Sequence, residues 1–255
     1  VAVQNSFYKR DFDHKSQANK TTVNIRLAEI YQHIVISLAN NALELREKCG
    51  QAKQRRWAMK IGIVISGGDV SGINNFIFQI ARLANADITI FNGGIPGLLD
   101  KNHQEVAWRD LVDFSIASIP IITSGRTSRR LLRSEYETIA KKIKSLRIDV
   151  LIMAGGDGSL QFLNTLSEFD INCFGVGMTI DNDVYGSDYT IGFSTACEQI
   201  IKEVSRLRNT GRALPGRVFM VEILGGYCGE LTLQSAIKSN ADVALIPESQ
   251  LPLET

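Results

Sequence analysis

From residue 60 onward, short apolar runs alternate with helical patterns, and this alternation limits the fold more than any other feature. Ile61–Ile65, Ile88–Phe91, Val150–Ala154, Cys173–Val176, Val218–Ile223 and Val243–Ile246 read as strands. Between them, residues 73–85, Ser134–Leu146, Leu160–Glu168, Thr195–Arg208 and Leu231–Ser239 read as helices. Apolar strands joined through helices predict a doubly wound, mostly parallel α/β sheet of the Rossmann-like kind, covered on both faces. In such sheets ligands sit at the carboxyl ends of the strands. Residues 93–100, with Pro96 among glycines, read as a turn.

The segments that follow these strands are chemically loaded. Ser66-Gly67-Gly68-Asp69 follows the first strand and precedes a helix starting near Gly72. Glycine lets a phosphate approach the backbone closely, and a helix N-terminus offers free N–H groups. Gly155-Gly156-Asp157-Gly158-Ser159 repeats that logic and adds a carboxylate. A carboxylate near phosphate oxygens suits Mg2+, which binds through one or two carboxylates plus substrate phosphates. No GxxxxGK[ST] pattern occurs, so neither loop is a Walker-type P-loop. The third segment, Gly177-Met178-Thr179-Ile180-Asp181-Asn182-Asp183, places Thr179, Asp181 and Asp183 at alternate positions. If it is extended, the three side chains face one site together. Such a cluster can take a proton from a hydroxyl, hold a divalent cation and position a phosphate.

Composition narrows the classes. Hydrophobic residues make up 44% of 255, ample for a core, and the net charge of +1 gives no bulk attraction to nucleic acid or a membrane surface. Only three histidines occur, and none lies in a motif, which argues against histidine-based nucleophilic catalysis. Cys49, Cys173, Cys197 and Cys228 lack CxxC spacing and read as reduced thiols, so the expected location is cytoplasmic. Residues 1–22 are polar and read as a mobile arm. Residues 23–49 carry apolar positions at helical spacing, a docking helix in front of the main body.

The motifs together resemble the phosphofructokinase family. The likeness runs over roughly residues 59–250 and rests on 61–69 with Gly72 and Asn74, Gly155 to Ser159 and Thr179 to Asp183. It continues through Gly186, Asp188 to Phe193, and then Val221-Glu222 with Gly225, Tyr227, Cys228 and Gly229. The resemblance implies transfer of the γ-phosphoryl of MgATP to the 1-hydroxyl of fructose 6-phosphate. It implies Asp181 as general base, Thr179 and Arg126 around the transferred group, and Gly67, Gly68, Asp157, Gly158 and Ser159 at the nucleotide. Asp157 and Asp183 would serve Mg2+. Thr179, Asp181, Asp183, Arg217 and Leu224 would meet the sugar phosphate, with Arg217 reaching across a subunit interface in a homo-oligomer. The implied lobes are 59–192 for the nucleotide and 193–255 for the start of a truncated sugar-phosphate lobe, after an N-terminal extension at 1–58.

Gly158 stands where pyrophosphate-using members commonly carry Asp, which favours ATP. Departures qualify the resemblance: Met178 is neither the usual Lys of pyrophosphate users nor the usual Gly of ATP users, and Gly177 stands where members generally have Pro. Leu224-Gly225-Gly226 stands where the family pattern has Met-Gly-Arg, so a cation beside the transferred phosphate is missing. The rival readings are a pyrophosphate-dependent enzyme and a catalytically weak regulatory or assembly subunit. A lipid- or NAD-kinase relative would share only the 155–158 loop. Arg129, Arg130 and Arg133 read as a solvated helix start. Tyr185, Tyr189 and Phe193 read as packing and hinge residues.

Overall fold

The computed structural model describes residues 2–5, 59–100, 102–115, 117, 119–127 and 129–249. The helix expected over 23–49 lies outside the described residues, as does all but 2–5 of the expected arm. The chain divides into two compact units, one ending at Val176 and one running from Gly177 together with the strand at 2–5.

In the first unit the chain forms β2 (Ile61–Ile65), α1 (Ile73–Ala84), β3 (Ile88–Phe91), α2 (Gly94–Leu99) and β4 (His103–Val106). A 3-10 turn (Trp108–Leu111) leads into the one-turn helix α3 (Val112–Ser115). Then come α4 (Arg133–Ser145), β5 (Val150–Gly155), α5 (Asp157–Ser167) and β6 (Cys173–Thr179), whose last residues open the second unit. The sheet order is β4-β3-β2-β5-β6. β2 pairs in parallel with both β3 and β5, while β4 is an antiparallel edge.

Burial follows from the apolar runs. All five residues of β2 and all six of β5 are buried, as expected for parallel strands covered on both faces. Val64, Phe91, Leu151 and Met153 pack in one cluster with Ile95 and Leu98 of α2, Ile139 and Ile143 of α4, and Phe162, Leu163 and Leu166 of α5. Ile61, Ile63 and Ile65 alternate to the other face and are buried too.

The second unit contains β7 (Ile191–Gly192), α6 (Phe193–Ala213), β8 (Met220–Ile223), α7 (Glu230–Ser239) and β9 (Val243–Leu245). β7 pairs with Met178 and Thr179 at the end of β6. The strand β1 (Ala2–Asn5) lies between β8 and β9, parallel to both. The polar segment expected to be a mobile arm therefore supplies the middle strand of a sheet at these four positions. The core of this unit is Phe193, Cys197, Ile223, Leu231 and Ala236.

Several element limits differ from expectation. Residues 94–99 are helical rather than a turn, because Pro96 and Gly97 sit in a short helix that Lys142 Nζ closes by donating to the carbonyls of Leu98 (2.9 Å) and Asp100. α5 begins at Asp157, three positions before the apolar spacing becomes visible at Leu160. β6 extends past Val176 through Thr179.

Candidate active site

The phosphate-binding loops expected in the first unit converge on one residue. Ser66, at the end of β2, is buried and forms a parallel bridge with Gly125. Its N–H donates to Ala154 O (2.9 Å), and its carbonyl accepts from Ser159 Oγ (3.4 Å). Gly67 N–H donates to Gly125 O (3.2 Å). The carboxyl ends of β2 and β5, the start of α5 and the 123–126 loop are thus tied at a single joint. Gly155 is required there. A Cβ on it would overlap Ser66 O and lie 2.6 Å from Ser159 Oγ. The Thr123 side of the joint is fixed by Gly93 N–H to Thr123 O (2.8 Å) and by Thr123 N–H to Asn92 Oδ1 (3.0 Å).

Two helix N-termini follow the strand ends that meet at this joint. α1 starts after Gly72 and α5 after Gly156, and neither cap residue supplies a side-chain hydrogen bond. The first-turn N–H groups of such helices seek outside acceptors, and the helix dipole favours an anion. Gly67, with a left-handed φ of 112°, and Gly68 form the turn before α1. A Cβ at Gly68 would sit 3.3 Å from Arg126 Nη2, so the exposed Arg126 guanidinium lies against this turn. No atom lies within 4 Å of a Cβ built at Gly156 or Gly158. Asp157 is exposed and accepts from Gln161 Nε2 through one oxygen (2.6 Å). The structure places Arg126 against Gly68 and ties Ser159 to the Ser66 carbonyl just before Gly67, with Asp157 and Gly158 opening α5 beside Ser159. The sequence reading missed Ser66 and Asn92 as the residues that tie the joint.

In the second unit, Thr179 ends β6, and its Oγ1 accepts from Asp181 N–H (3.2 Å). Asp181 is half-buried. The alternation expected through Asp183 stops at Asn182, whose φ of 55° is left-handed. Asn182 Oδ1 accepts from Thr190 N–H (2.8 Å), and its Nδ2 donates to Asp188 O (3.2 Å). Thr190 Oγ1 donates to Thr179 O (2.7 Å). Asn182 and Thr190 staple the 183–189 loop shut. Thr179 and Asp181 therefore stay together on the strand end, while exposed Asp183 lies beyond the turn.

Asp183 instead joins Glu230 and Glu248 as a negative charge acting on the Cys228 thiol. Burial first, and these carboxylates after it, push that thiol up against a counteracting hydrogen bond from the Glu230 backbone. Glu248 Oε1 accepts from Gly229 N–H (2.7 Å), holding the start of α7. Arg217 is exposed, and Leu224 is 66% exposed. Tyr185, expected to pack, is 93% exposed, whereas Phe193 is buried with Tyr189 tilted against it at 6.1 Å between ring centroids.

The family model for phosphofructokinase matches residues 60–255. The chain belongs to the phosphofructokinase family. It is 35% identical over 192 residues to the ATP-dependent 6-phosphofructokinase of Buchnera aphidicola subsp. Cinara cedri, covering 74% of this chain and 60% of the relative. It is 36% identical over 191 residues to the enzyme of the same name from Teredinibacter turnerae, covering 74% and 59%. The crystal structure of Pichia pastoris phosphofructokinase in the T-state superposes with a TM-score of 0.71 at 28% identity, over 80% of this chain and 25% of that one. The chain thus spans about 60% of the length of the curated relatives it matches.

Within this family frame the Gly226 departure acquires a backbone reason. Gly226 has a left-handed φ of 58°, and Cys228 N–H closes the turn onto Gly225 O (2.9 Å). An arginine there would be strained in this backbone, although no atom crowds the position.

Proposed function

We propose that this phosphofructokinase-family chain carries the nucleotide lobe and the acceptor-hydroxyl loop of an ATP-dependent 6-phosphofructokinase. The single observation that carries the reading is the joint at Ser66, which ties the Arg126 loop to the ends of the two strands that lead into uncapped helices. Backbone N–H groups at α1 and α5 would bind the triphosphate, and Arg126 would offset charge on the group in transit. Asp181 would accept the proton of the sugar 1-hydroxyl, with Thr179 holding the transferred phosphoryl. Positioning and charge neutralisation dominate such transfers, so a carboxylate suffices as base.

Mg2+ fits the donors on the chain. Among the described residues no three His, Cys, Asp or Glu side chains form a metal-holding group. Magnesium needs only one or two carboxylates when phosphates complete its shell. Asp157 keeps one oxygen outside its bond to Gln161 and would be the carboxylate that meets the ion, whereas the turn at Asn182 carries Asp183 toward the Cys228 thiol. When bound, the ion would neutralise phosphate oxygens.

The open space at Gly158 supports ATP over pyrophosphate as donor. Residues 59–192 would form the nucleotide lobe and 193–255 would belong to the sugar-phosphate lobe, with Arg217 serving a neighbouring subunit of a cytoplasmic homo-oligomer. No described helix is long and apolar enough to cross a membrane. A catalytically weak member is the second reading, favoured by the missing cation at Gly226.

Calorimetric titration of the chain tests the donor. MgATP should bind with heat and saturation while magnesium pyrophosphate binds more weakly. Saturable pyrophosphate binding without ATP binding would reverse the assignment.

A further inference from the structure

The arginine run after Arg126 is not simply solvated. Arg129 grips Glu135 with both guanidinium nitrogens, Nη1 to Oε2 at 2.8 Å and Nη2 to Oε1 at 2.6 Å. Glu135 Oε2 also accepts Leu132 N–H at 2.8 Å, one half of a capping box at the start of α4. Thr127 Oγ1 donates to Arg129 O at 3.1 Å. On the other side of Arg126, Gly125 is bridged to Ser66 and accepts Gly67 N–H. Arg126 is therefore bracketed by a backbone anchor one residue before it and a two-pronged ion pair three residues after it. An ion pair this exposed adds little to stability, because solvent screens it. Its geometry is another matter, since the guanidinium fork fixes direction as well as distance.

We propose that the Arg129–Glu135 clamp is a positioning device that keeps Arg126 against the Gly67–Gly68 turn. The clamp rests on the reading of that turn as the triphosphate site. It acts through Arg126 and touches no ligand itself. Arg133 takes no part, because its guanidinium stacks 5.2 Å from the Phe169 ring.

The test is a double-mutant cycle on the full chain, read by MgATP affinity, with AMP as the ligand that lacks the outer phosphates. Arg126→Ala should weaken MgATP roughly 10-fold or more, the worth of one charged hydrogen bond to phosphate. Arg129→Met and Glu135→Gln should each weaken it by roughly 3–10-fold, a fraction of the contact they steer. AMP affinity should stay level in all of them. In the Arg126→Ala background, Arg129→Met should add nothing. Arg129→Met leaves the Glu135 cap on Leu132 intact, so it carries the test if Glu135→Gln loosens α4. The clamp is overturned if Arg129→Met binds MgATP as the parent does, or if its loss persists undiminished without Arg126. It also falls if Arg126→Ala binds normally. A parent chain that binds no MgATP at all removes the triphosphate reading itself, an outcome separate from these.

Discussion

β5 and β6 each lead into an acidic loop, and the two loops are held by opposite means. After β5 the backbone does the holding. Gly155 lies so close to Ser66 O and Ser159 Oγ that no side chain fits, and α5 begins at once with Asp157. After β6 a side chain does it. The Asn182 amide bonds to Thr190 and Asp188 and turns the chain through a left-handed residue. The first arrangement leaves Gly156 and Gly158 open for a ligand to approach the backbone. The second presents a hydroxyl and a carboxylate, Thr179 and Asp181, on a strand end. A loop that binds phosphate through N–H groups wants no side chains. Under the proposed function the second loop would move a proton, which needs a side chain fixed in place.

Substitutions can break this contrast. The largest effect is expected from Asp181→Asn, which should lower turnover of an active chain carrying this loop by roughly 10²–10⁴-fold while sparing nucleotide affinity. Near-parental turnover would remove Asp181 from the base role. Gly155→Ala should do the reverse and damage the fold first. Overlap with backbone at the joint should cost about 2–3 kcal/mol in denaturant unfolding. Its neighbour Gly158→Ala should stay within about 0.5 kcal/mol, since its side is open. Equal costs at the two glycines would contradict the packing described for Gly155.

Asn182→Ala should cost about 1–2 kcal/mol by leaving Thr190 N–H without its acceptor. Asn182→Gly should lose as much, despite easing the positive φ, if the amide rather than the backbone is what holds the loop. Recovery of stability by the glycine would show the turn to be the dominant need.

The smallest expected effect concerns pH. Hydrogen bonds from Arg129 first, and from Leu132 N–H next, lower the Glu135 carboxyl to about 2. A depressed carboxylate pKa contributes above its unfolded value, about 4.3, and is lost as pH falls through the folded one. The clamp should therefore be indifferent to pH from about 5 upward. A carbon-detected titration of Glu135 with a midpoint near 4 would show the clamp to be open in solution.

The contrast also explains what could be read from sequence. β2, β3 and β5 were legible because these buried strands are apolar apart from Thr89 and end in glycine loops. β4 was not, because His103-Gln104-Glu105-Val106 is a polar edge strand held partly by the Lys60–Glu105 ion pair. The start of α5 was hidden by glycines that weaken helical spacing but serve the loop. β1 was hidden although it is a middle strand, because its four residues Ala2-Val3-Gln4-Asn5 are too short and mixed to show an apolar pattern. The residue types of the candidate site were legible, but its joints were not. Ser66, Asn92 and Thr190 act through contacts distant in sequence, and only Asn182 carried a local sign, since asparagine tolerates left-handed turns. The spacing of Thr179, Asp181 and Asp183 misled for the same reason, because one left-handed residue ends the alternation.

Amide hydrogen exchange of the whole chain with and without MgATP tests the central claim most directly. The first-unit loops are expected to gain protection at 66–72, 125–126 and 156–160, with little change in the 183–189 loop. Protection confined to the second unit, or none at saturating MgATP, would contradict the assignment of the Ser66 joint as the triphosphate site.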